Sequence, residues 1–595
     1  MKKSIVWIIL FSLLLMEISA KEPEKIDDWD NNATSAEAKL AKSHHGKNGA
    51  NANMVGLGGN ISPVAPMAAM PAPSRMMVKK IGLAVGGAKD TDNFIENIKR
   101  GYVPKIDSIT YEGTYYQHYF DTGLQKECKS LFCPSYTKAV KKDIYTGEKH
   151  YYLSVGLNSG INEGDFKRKK LNLVVVLDIS GSMGSPFSRY YYDGKKGESE
   201  SKSKMQVANE SIVAMIDHLK EEDSLGVVLF DNDAYPVKPL RKVKYTDMKA
   251  IKKHILALQD RGGTNWSAGY KEGLKYFDKV KKKGYENRII FITDAMPNTG
   301  ELKKERLFGM TKEASKKGIH TTFIGVGVDF NANLVEYVSK IRGANYYSVH
   351  SSKAFKKRMD KEFDYMVTPL VYDLELKLSA KGYKIDAVYG SPQANLATGS
   401  IMKVNTLFPS ASEGKRNKGG VILLRLKKIG KSENVKLSVS YKDTKGKTYR
   451  NVQKVDLKFS KEEEQYDNKG IQKAILLSEY VTLMKNWIID ARAGCNDEVS
   501  YLHEPPVQIM KRCMIYPPVR PVYPKIKTWE RKSCKLHVSA GYGQLFALFK
   551  RHYQHEMKQL GDTSLHQELN ILDILLKGQT SVEGSEQVDD WNSYF

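Results

Sequence analysis

The chain has 595 residues, too many for one ordinary domain, and its hydrophobic share of 41% is ample for globular cores. It carries 93 Lys and Arg against 68 Asp and Glu, a formal net charge of +25. Such a charge favours acidic surfaces, an anionic envelope surface among them, although lysines spread this evenly also read as solvated helix faces. No nucleic-acid module is visible, so no nucleic-acid partner is expected.

The N-terminus has Lys2 and Lys3, an apolar run from Ile5 to Met16, and small residues Ser19 and Ala20. This is the pattern of a secretory signal peptide over residues 1–20. The expectation is an exported protein of the periplasm, the cell surface or the medium. Residues 21–78 are rich in Asn, Ala, Gly, Ser and Pro, a composition that cannot bury a core and reads as a flexible spacer. Residues 79–170 are Tyr-rich, with Tyr115, Tyr116, Tyr119 and the stretch Tyr151–Gly156. They suggest strands and loops leading into the first strand of a sheet. Cys128 and Cys133 are close enough to close a small loop, and an exported chain would let them oxidise.

From Leu171 the pattern becomes regular. The apolar run Leu171–Leu177 ends in Asp178-Ile179-Ser180-Gly181-Ser182. An Asp and two hydroxyls at alternate positions on a strand-end turn can converge on one hard cation. Met205, Ala208, Ile212, Met215, Ile216 and Leu219 share one helical face. Leu225–Phe230 reads as a buried strand, Met248–Leu258 as a helix, Glu301–Lys317 as a helix and Thr321–Val326 as a strand. Between them lie Thr264, in Arg261-Gly262-Gly263-Thr264-Asn265, and Asp294, at the end of the apolar run Ile289–Thr293. Strand–helix alternation with near-continuous apolar strands predicts an α/β fold, a doubly wound, mostly parallel, Rossmann-like sheet. Ligands of such sheets sit at the carboxyl ends of the strands, where Asp178, Thr264 and Asp294 would all lie.

These residues resemble the von Willebrand factor type A family over residues 171–367. The family's metal-ion-dependent adhesion site reads D-x-S-x-S, then Thr, then Asp, and maps here onto Asp178, Ser180, Ser182, Thr264 and Asp294. The resemblance implies a bound Mg²⁺, with Ca²⁺ and Mn²⁺ open as replacements, whose shell is completed by an exposed acidic residue of a protein partner. Two carboxylates only balance a divalent charge, so the metal can still attract a third.

No catalytic set is legible. Haloacid-dehalogenase-like chemistry would want a second Asp where Ser180 stands. A nucleophile elbow centred on Ser182 would want Gly at Ser180. His555-Glu556 lacks the second His of a zinc motif, since Gln559 stands there. Gly430-Lys431-Ser432 and Gly446-Lys447-Thr448 end like phosphate-binding loops, but Arg425 and Tyr441 occupy the position of the first Gly. The expectation is a binding protein, not an enzyme.

Between Met183 and Lys204 an insertion carries Phe187, Tyr190, Tyr191 and Tyr192. Aromatic residues bring large contact area at low entropy cost, so these four are candidates for a partner-binding face. The alternative is a decoration whose Tyr cluster packs on the N-terminal segment. Period-two alternation in Leu374–Leu378, Val435–Val439 and Val455–Phe459 predicts a β-sandwich-like domain over 371–460. This order, a type A domain followed by a β-domain, resembles bacterial exported members of the family. Residues 469–493 read as an amphipathic helix packed on its own domain. Residues 494–595 are Pro-rich, then helical over Leu545–Leu576, with Cys495, Cys513 and Cys534 leaving one thiol over if two pair. The readings to weigh are metal-dependent capture of a protein partner, a structural role in the cell envelope with a secondary metal, and metal-dependent hydrolysis.

Overall fold

The computed structural model describes residues 24–31, 79–190, 202–294, 301, 303–330, 337, 340–391, 401–455, 457–493, 495 and 533–578. The expected signal peptide, Tyr191, Tyr192 and Cys513 lie outside them.

The Tyr-rich segment opens with β1 (Lys80–Val85) and β2 (Gly87–Ala88). The short helices α1 (Asp92–Lys99) and α2 (Tyr111–Tyr116) follow. Thr110 caps α2, its side chain accepting from the Gly113 N–H, which satisfies one of the donors a helix start leaves open. β3 (Tyr119–Asp121) leads to a long hairpin, β4 (Cys133–Lys142) and β5 (Lys149–Asn162), paired from Cys133↔Asn158 to Lys142↔Lys149. The disulfide Cys128–Cys133, with Cα atoms 5.7 Å apart, closes the loop entering β4.

The next stretch contains β6 (Lys170–Asp178), α3 (Lys204–Ile216), β7 (Ser224–Phe230) and β8 (Ala234–Lys242). Then come α4 (Met248–Leu256), α5 (Trp266–Lys275), β9 (Tyr285–Thr293) and α6 (Lys304–Lys316). It ends in β10 (Ile319–Val326), β11 (Asn345–Val349) and α7 (Ser352–Met366). The sheet order is β2-β11-β10-β9-β6-β7-β8, with every pairing parallel except β7–β8. β8 carries Pro236 and Pro239, which cannot donate to a ladder, so it sits at an edge. The expected doubly wound parallel sheet is therefore present. Both faces are covered, which is why β6 reads as an apolar run broken only by Asn172, whose side chain donates to Asn287 Oδ1 at 2.8 Å. Leu173, Val175 and Leu177 pack with Met205, Met215 and Met359 on one side. Val174 and Val176 pack with Trp266, Tyr270 and Phe291 on the other. β6 has β7 on one flank and β9 on the other, so the winding reverses between β6 and β9. The crevice at such a switch point lies at the carboxyl ends of those two strands.

The third part holds β12 (Val371–Tyr389), β13 (Ile401–Ser410), β14 (Ser412–Glu413), β15 (Arg416–Lys418), β16 (Val421–Asp443), β17 (Thr448–Lys454) and β18 (Gln465–Tyr466). Its strands do not close a sandwich by themselves, which corrects the division at 79–170 and 371–460. β1 lies between β13 and β5, and Val421–Leu426 of β16 pairs with Tyr151–Gly156 of β5. β5, β16, β12, β13 and β1 thus form a closed ring of antiparallel neighbours around one apolar core. β12 and β16 are long enough to pass from one layer to the other. At the bend Gly382 has φ 100°, and a Cβ there would stand 2.5 Å from the Lys431 carbonyl oxygen, so only glycine fits.

The last part is helical: α8 (Lys469–Ala493), α9 (Ala540–Leu560) and α10 (His566–Lys577). α8 is buried nearly all round rather than amphipathic, because α2, β3 and α9 surround it. The single helical stretch expected over 545–576 is broken at Gly561, whose φ of 63° ends α9 in the left-handed conformation. His118 ties this layer to the N-terminal segment. Its ring nitrogens lie 2.9 Å from Ser564 Oγ and 3.0 Å from Glu568 Oε1. Cys495 and Cys534 are paired. Residues 24–31, read as part of a flexible spacer, instead lie along β8 and α4. The Asp30 N–H donates to the Val237 carbonyl at 2.8 Å, and Trp29 stacks on His254 at 5.3 Å. Among the described residues no helix is long and apolar enough to cross a membrane.

Candidate metal centre

β6 delivers Asp178 to the switch-point crevice, and β9 delivers Asp294 one residue beyond its end. Parallel pairing sets Leu177 opposite Ile292, which places the two carboxylates on adjacent strand ends. Both residues are fully buried. Asp178 Oδ1 accepts from the Ser180 N–H at 2.9 Å, and Oδ2 accepts from the Thr293 hydroxyl at 2.6 Å. These bonds hold the carboxylate in one orientation and fold the D-x-S-x-S turn back on itself.

The turn brings Ser180 Oγ and Ser182 Oγ to 3.2 Å of one another. Adjacent corners of an octahedron with ligands at about 2.1 Å are roughly 3 Å apart, so this separation suits two cis oxygens on Mg²⁺. The loop carrying Thr264 is stitched to the same turn. The Arg261 N–H donates to the Ile179 carbonyl at 2.5 Å, and the Gly181 N–H donates to the Gly262 carbonyl at 3.0 Å. Gly262 has φ 69° and faces Asp231, which lets this loop pass close by. Thr264 is buried, at 2% exposure. Asn265 then caps α5, its side chain accepting from the Ala268 N–H.

A cation already belongs to the site. Lys204, at the start of α3, is fully buried, with Nζ 3.1 Å from Asp294 Oδ2 and 2.6 Å from Asp329 Oδ1. Burial works against its charge, but Asp329 and then Asp294 hold it protonated, above the ordinary lysine value. Asp294 Oδ1 is buried with no hydrogen-bond partner among the described residues. Burial first, and the charge of Asp294 next, push the Asp178 carboxyl up to about 7. Two buried carboxylates, one oxygen without a partner and two adjacent hydroxyls form an oxygen-only donor set. That is the chemistry a hard divalent cation takes, and the residues fit it.

Sequence reasoning missed Lys204 and Asp329. A Lys directly before an apolar helix face reads as solvated, and the only hint was its place after Ser203. Ser203 accepts from the Gln206 N–H while Gln206 bonds back, a capping box that fixes the helix start.

Of the aromatic insertion, Tyr190 takes the packing alternative. Tyr190 is 4% exposed. Its hydroxyl donates to Asn97 Oδ1 at 2.7 Å, and its ring meets Tyr102 edge-on at 4.9 Å. It is a packing residue against α1, because that helix offers both an amide and an apolar face. Phe187 is half-buried, its carbonyl accepting from the Val328 N–H at 3.1 Å. Tyr191 and Tyr192 lie outside the described residues.

Residues 172–361 match the model of the von Willebrand factor type A domain. Inter-alpha-trypsin inhibitor heavy chain H3 of Mus musculus is 23% identical over 212 residues, 35% of this chain and 22% of that protein. The uncharacterized protein YfbK of Escherichia coli is 23% identical over 208 residues, 35% of this chain and 33% of that protein. The uncharacterized protein sll0103 of Synechocystis is 30% identical over 192 residues, 32% of this chain and 40% of that protein. The matches therefore span well under half the length of these relatives. Among solved structures, a von Willebrand factor type A protein from Catenulispora acidiphila aligns with TM-score 0.40 at 15% identity, covering 64% of this chain and 84% of that one.

Proposed function

From a chain that carries a von Willebrand factor type A domain at residues 172–361, we propose an exported protein that captures a protein partner through a divalent cation, with Mg²⁺ the first choice. Domains of this family commonly mediate protein–protein interaction. The observation that carries the finer reading is the buried Asp294 Oδ1, without a hydrogen-bond partner among the described residues, beside Asp178 and the paired hydroxyls of Ser180 and Ser182. Ser180, Ser182, Thr264 and Asp294 would hold the ion, with Asp178 behind them directly or through water. A bound divalent cation supplies a centre that can take one more carboxylate, here from an acidic residue of the partner.

The chain's own residues do the rest. The Thr293 hydroxyl and the Ser180 N–H keep Asp178 aimed into the crevice. Lys204 neutralises one carboxylate equivalent of the Asp294–Asp329 pair, so the buried acids do not repel each other out of position. The N-terminal pattern of Lys2, Lys3 and the Ile5–Met16 run supports export.

The test is titration calorimetry of Mg²⁺ into the full chain, wild type and Asp178→Ala, followed by partner pull-down with and without chelator. The reading expects Mg²⁺ binding that the substitution abolishes and capture that the chelator reverses. Capture that ignores both would remove it.

A further inference from the structure

We propose that the outer face of the β13-β12-β16-β17 layer docks on an anionic lipid bilayer. The strand register sets three rows of outward side chains across this face. One row is Lys403, Glu375, Ser440 and Arg450. The next is Ile401, Lys377, Ser438 and Val452. The third is Ser379, Lys436 and Lys454. Neighbouring strands lie about 4.8 Å apart, and every second residue along a strand is about 6.8 Å further on. Lys377, Lys403, Lys436, Arg450 and Lys454 are all exposed.

None of these cations forms an ion pair among the described residues, and Glu375 is the one carboxylate in the rows. Strand and loop lysines elsewhere do find carboxylates: Lys80 pairs with Glu127, and Lys242 and Lys244 pair with Glu222. One outward position further along β16, Lys442 is paired with Asp373, but the three rows keep their cations unneutralised, and at this spacing they present a concentrated positive field to anions.

A soluble polyanion would need only the charge. The apolar pattern selects a bilayer. Val452, at 63% exposure, and Ile429, at 60%, are the most exposed large hydrophobic residues described. Val452 ends the middle row, between Arg450 and Lys454 of the rows on either side. Ile429 lies between Lys428 and Lys431 at the bend of β16, where the same layer ends. Aliphatic side chains flanked by basic residues suit the boundary between headgroups and acyl chains, and each lysine near an anionic leaflet adds attraction that salt screens.

The experiment is co-sedimentation of the full chain with phosphatidylcholine vesicles, with and without phosphatidylglycerol, over rising NaCl and with and without chelator. The variants are the triple Lys377→Glu/Lys403→Glu/Lys436→Glu and the double Ile429→Ser/Val452→Ser, each checked for an unchanged melting curve. Expected is binding that requires phosphatidylglycerol, ignores chelator and falls with salt. It should weaken by at least about tenfold in the charge variant and by a few-fold in the aliphatic variant. Equal binding to both vesicles, or wild-type binding by the charge variant, would overturn the proposal. So would loss in the charge variant alone combined with full competition by dextran sulfate, which would make the face a polyanion site. Chelator-sensitive binding would move the contact to the metal centre and overturn it as well.

Discussion

Lys204 Nζ donates to Asp294 Oδ2 at 3.1 Å, and neither side chain is exposed to solvent. A lysine buried beside a candidate metal ligand is costly unless its charge is matched, and Asp329 completes the match from the other side. Lys204→Met would remove the only cation described between two buried carboxylates. The expected loss is about 3–5 kcal/mol of stability. Because a divalent cation can replace part of the missing charge, magnesium should raise the melting temperature of the variant more than that of wild type. Thermal unfolding of both proteins with and without Mg²⁺ checks this, and equal shifts would separate Lys204 from the metal site.

Asp178 should give Mg²⁺ binding at the proposed site a pH dependence. Its carboxyl is pushed up to about 7, by burial first and Asp294 second. Below that value protons compete with the cation, so Mg²⁺ affinity should fall as pH drops from 8 to 5.5. The folded, metal-free protein binds this proton more readily than the unfolded chain between the ordinary value of 3.8 and about 7. Its contribution to metal-free stability is therefore lost as pH rises through that window. Magnesium should stabilise the protein more at pH 8 than at pH 5.5. Melting curves at both values measure it, and a magnesium shift independent of pH would count against Asp178 as a participant.

What the sequence disclosed follows physical lines. β6, β7 and β9 are buried on both faces, so each holds an apolar run whatever its neighbours are. Asp178 and Asp294 stand out because each ends such a run. β8 was silent, since an edge strand holding Pro236 and Pro239 has neither run nor alternation. The closure of β5 on β16 was silent for another reason. Tyr151–Gly156 and Val421–Leu426 are far apart in sequence, and local periodicity carries no record of which strand a strand will meet. α8 misled because Gln472, Ser478 and Thr482 look like a wet face, whereas each is buried and bonded.

Tyr190 should act on stability and leave recognition alone. Its ring is buried against Tyr102 and its hydroxyl against Asn97. Tyr190→Ala would open a cavity and leave Asn97 without that donor, at about 3 kcal/mol. Urea unfolding should register the loss. Mg²⁺ affinity by calorimetry should stay within about twofold of wild type, since Tyr190 forms none of the bonds that orient Asp178. A large drop in affinity with unchanged stability would reverse this assignment.

Contacts cross the domain boundary at residue 171, so a unit cut there should fold less stably. β11 pairs with Gly87 and Ala88 of β2. Arg358 of α7 reaches Asp90 at 2.5 Å and Asp92 at 2.7 Å. The Asn97 side chain donates to the Val328 carbonyl at 2.9 Å. A fragment of residues 171–367 would uncover the β11 edge and leave the Arg358 guanidinium without both carboxylates. It should melt well below the type A region of the full chain and expose an aggregation-prone strand. Calorimetric melting of fragment and full chain, followed by light scattering, decides it. A fragment as stable as the parent would show that the N-terminal segment adds nothing to this sheet.

Asp562 should make the stability of the helical layer depend on pH in acid. It sits in the turn between α9 and α10, paired with Lys473 of α8, and its Oδ1 accepts from the Ser564 N–H at 3.0 Å. Burial would raise its carboxyl, but the bonds from Lys473 and then Ser564 hold it down to about 2, below the ordinary 3.8. A depressed carboxyl contributes stability above its unfolded value and loses that contribution as pH falls through its folded one. The difference in melting temperature between wild type and Asp562→Asn should thus be constant above about pH 5 and close between about pH 4 and pH 2. Partial exposure of Asp562 will mute the difference, and salt should shrink it further. A gap that persists unchanged below pH 2.5 would mean that Asp562 holds the turn by shape and hydrogen bonding, with its charge of no consequence.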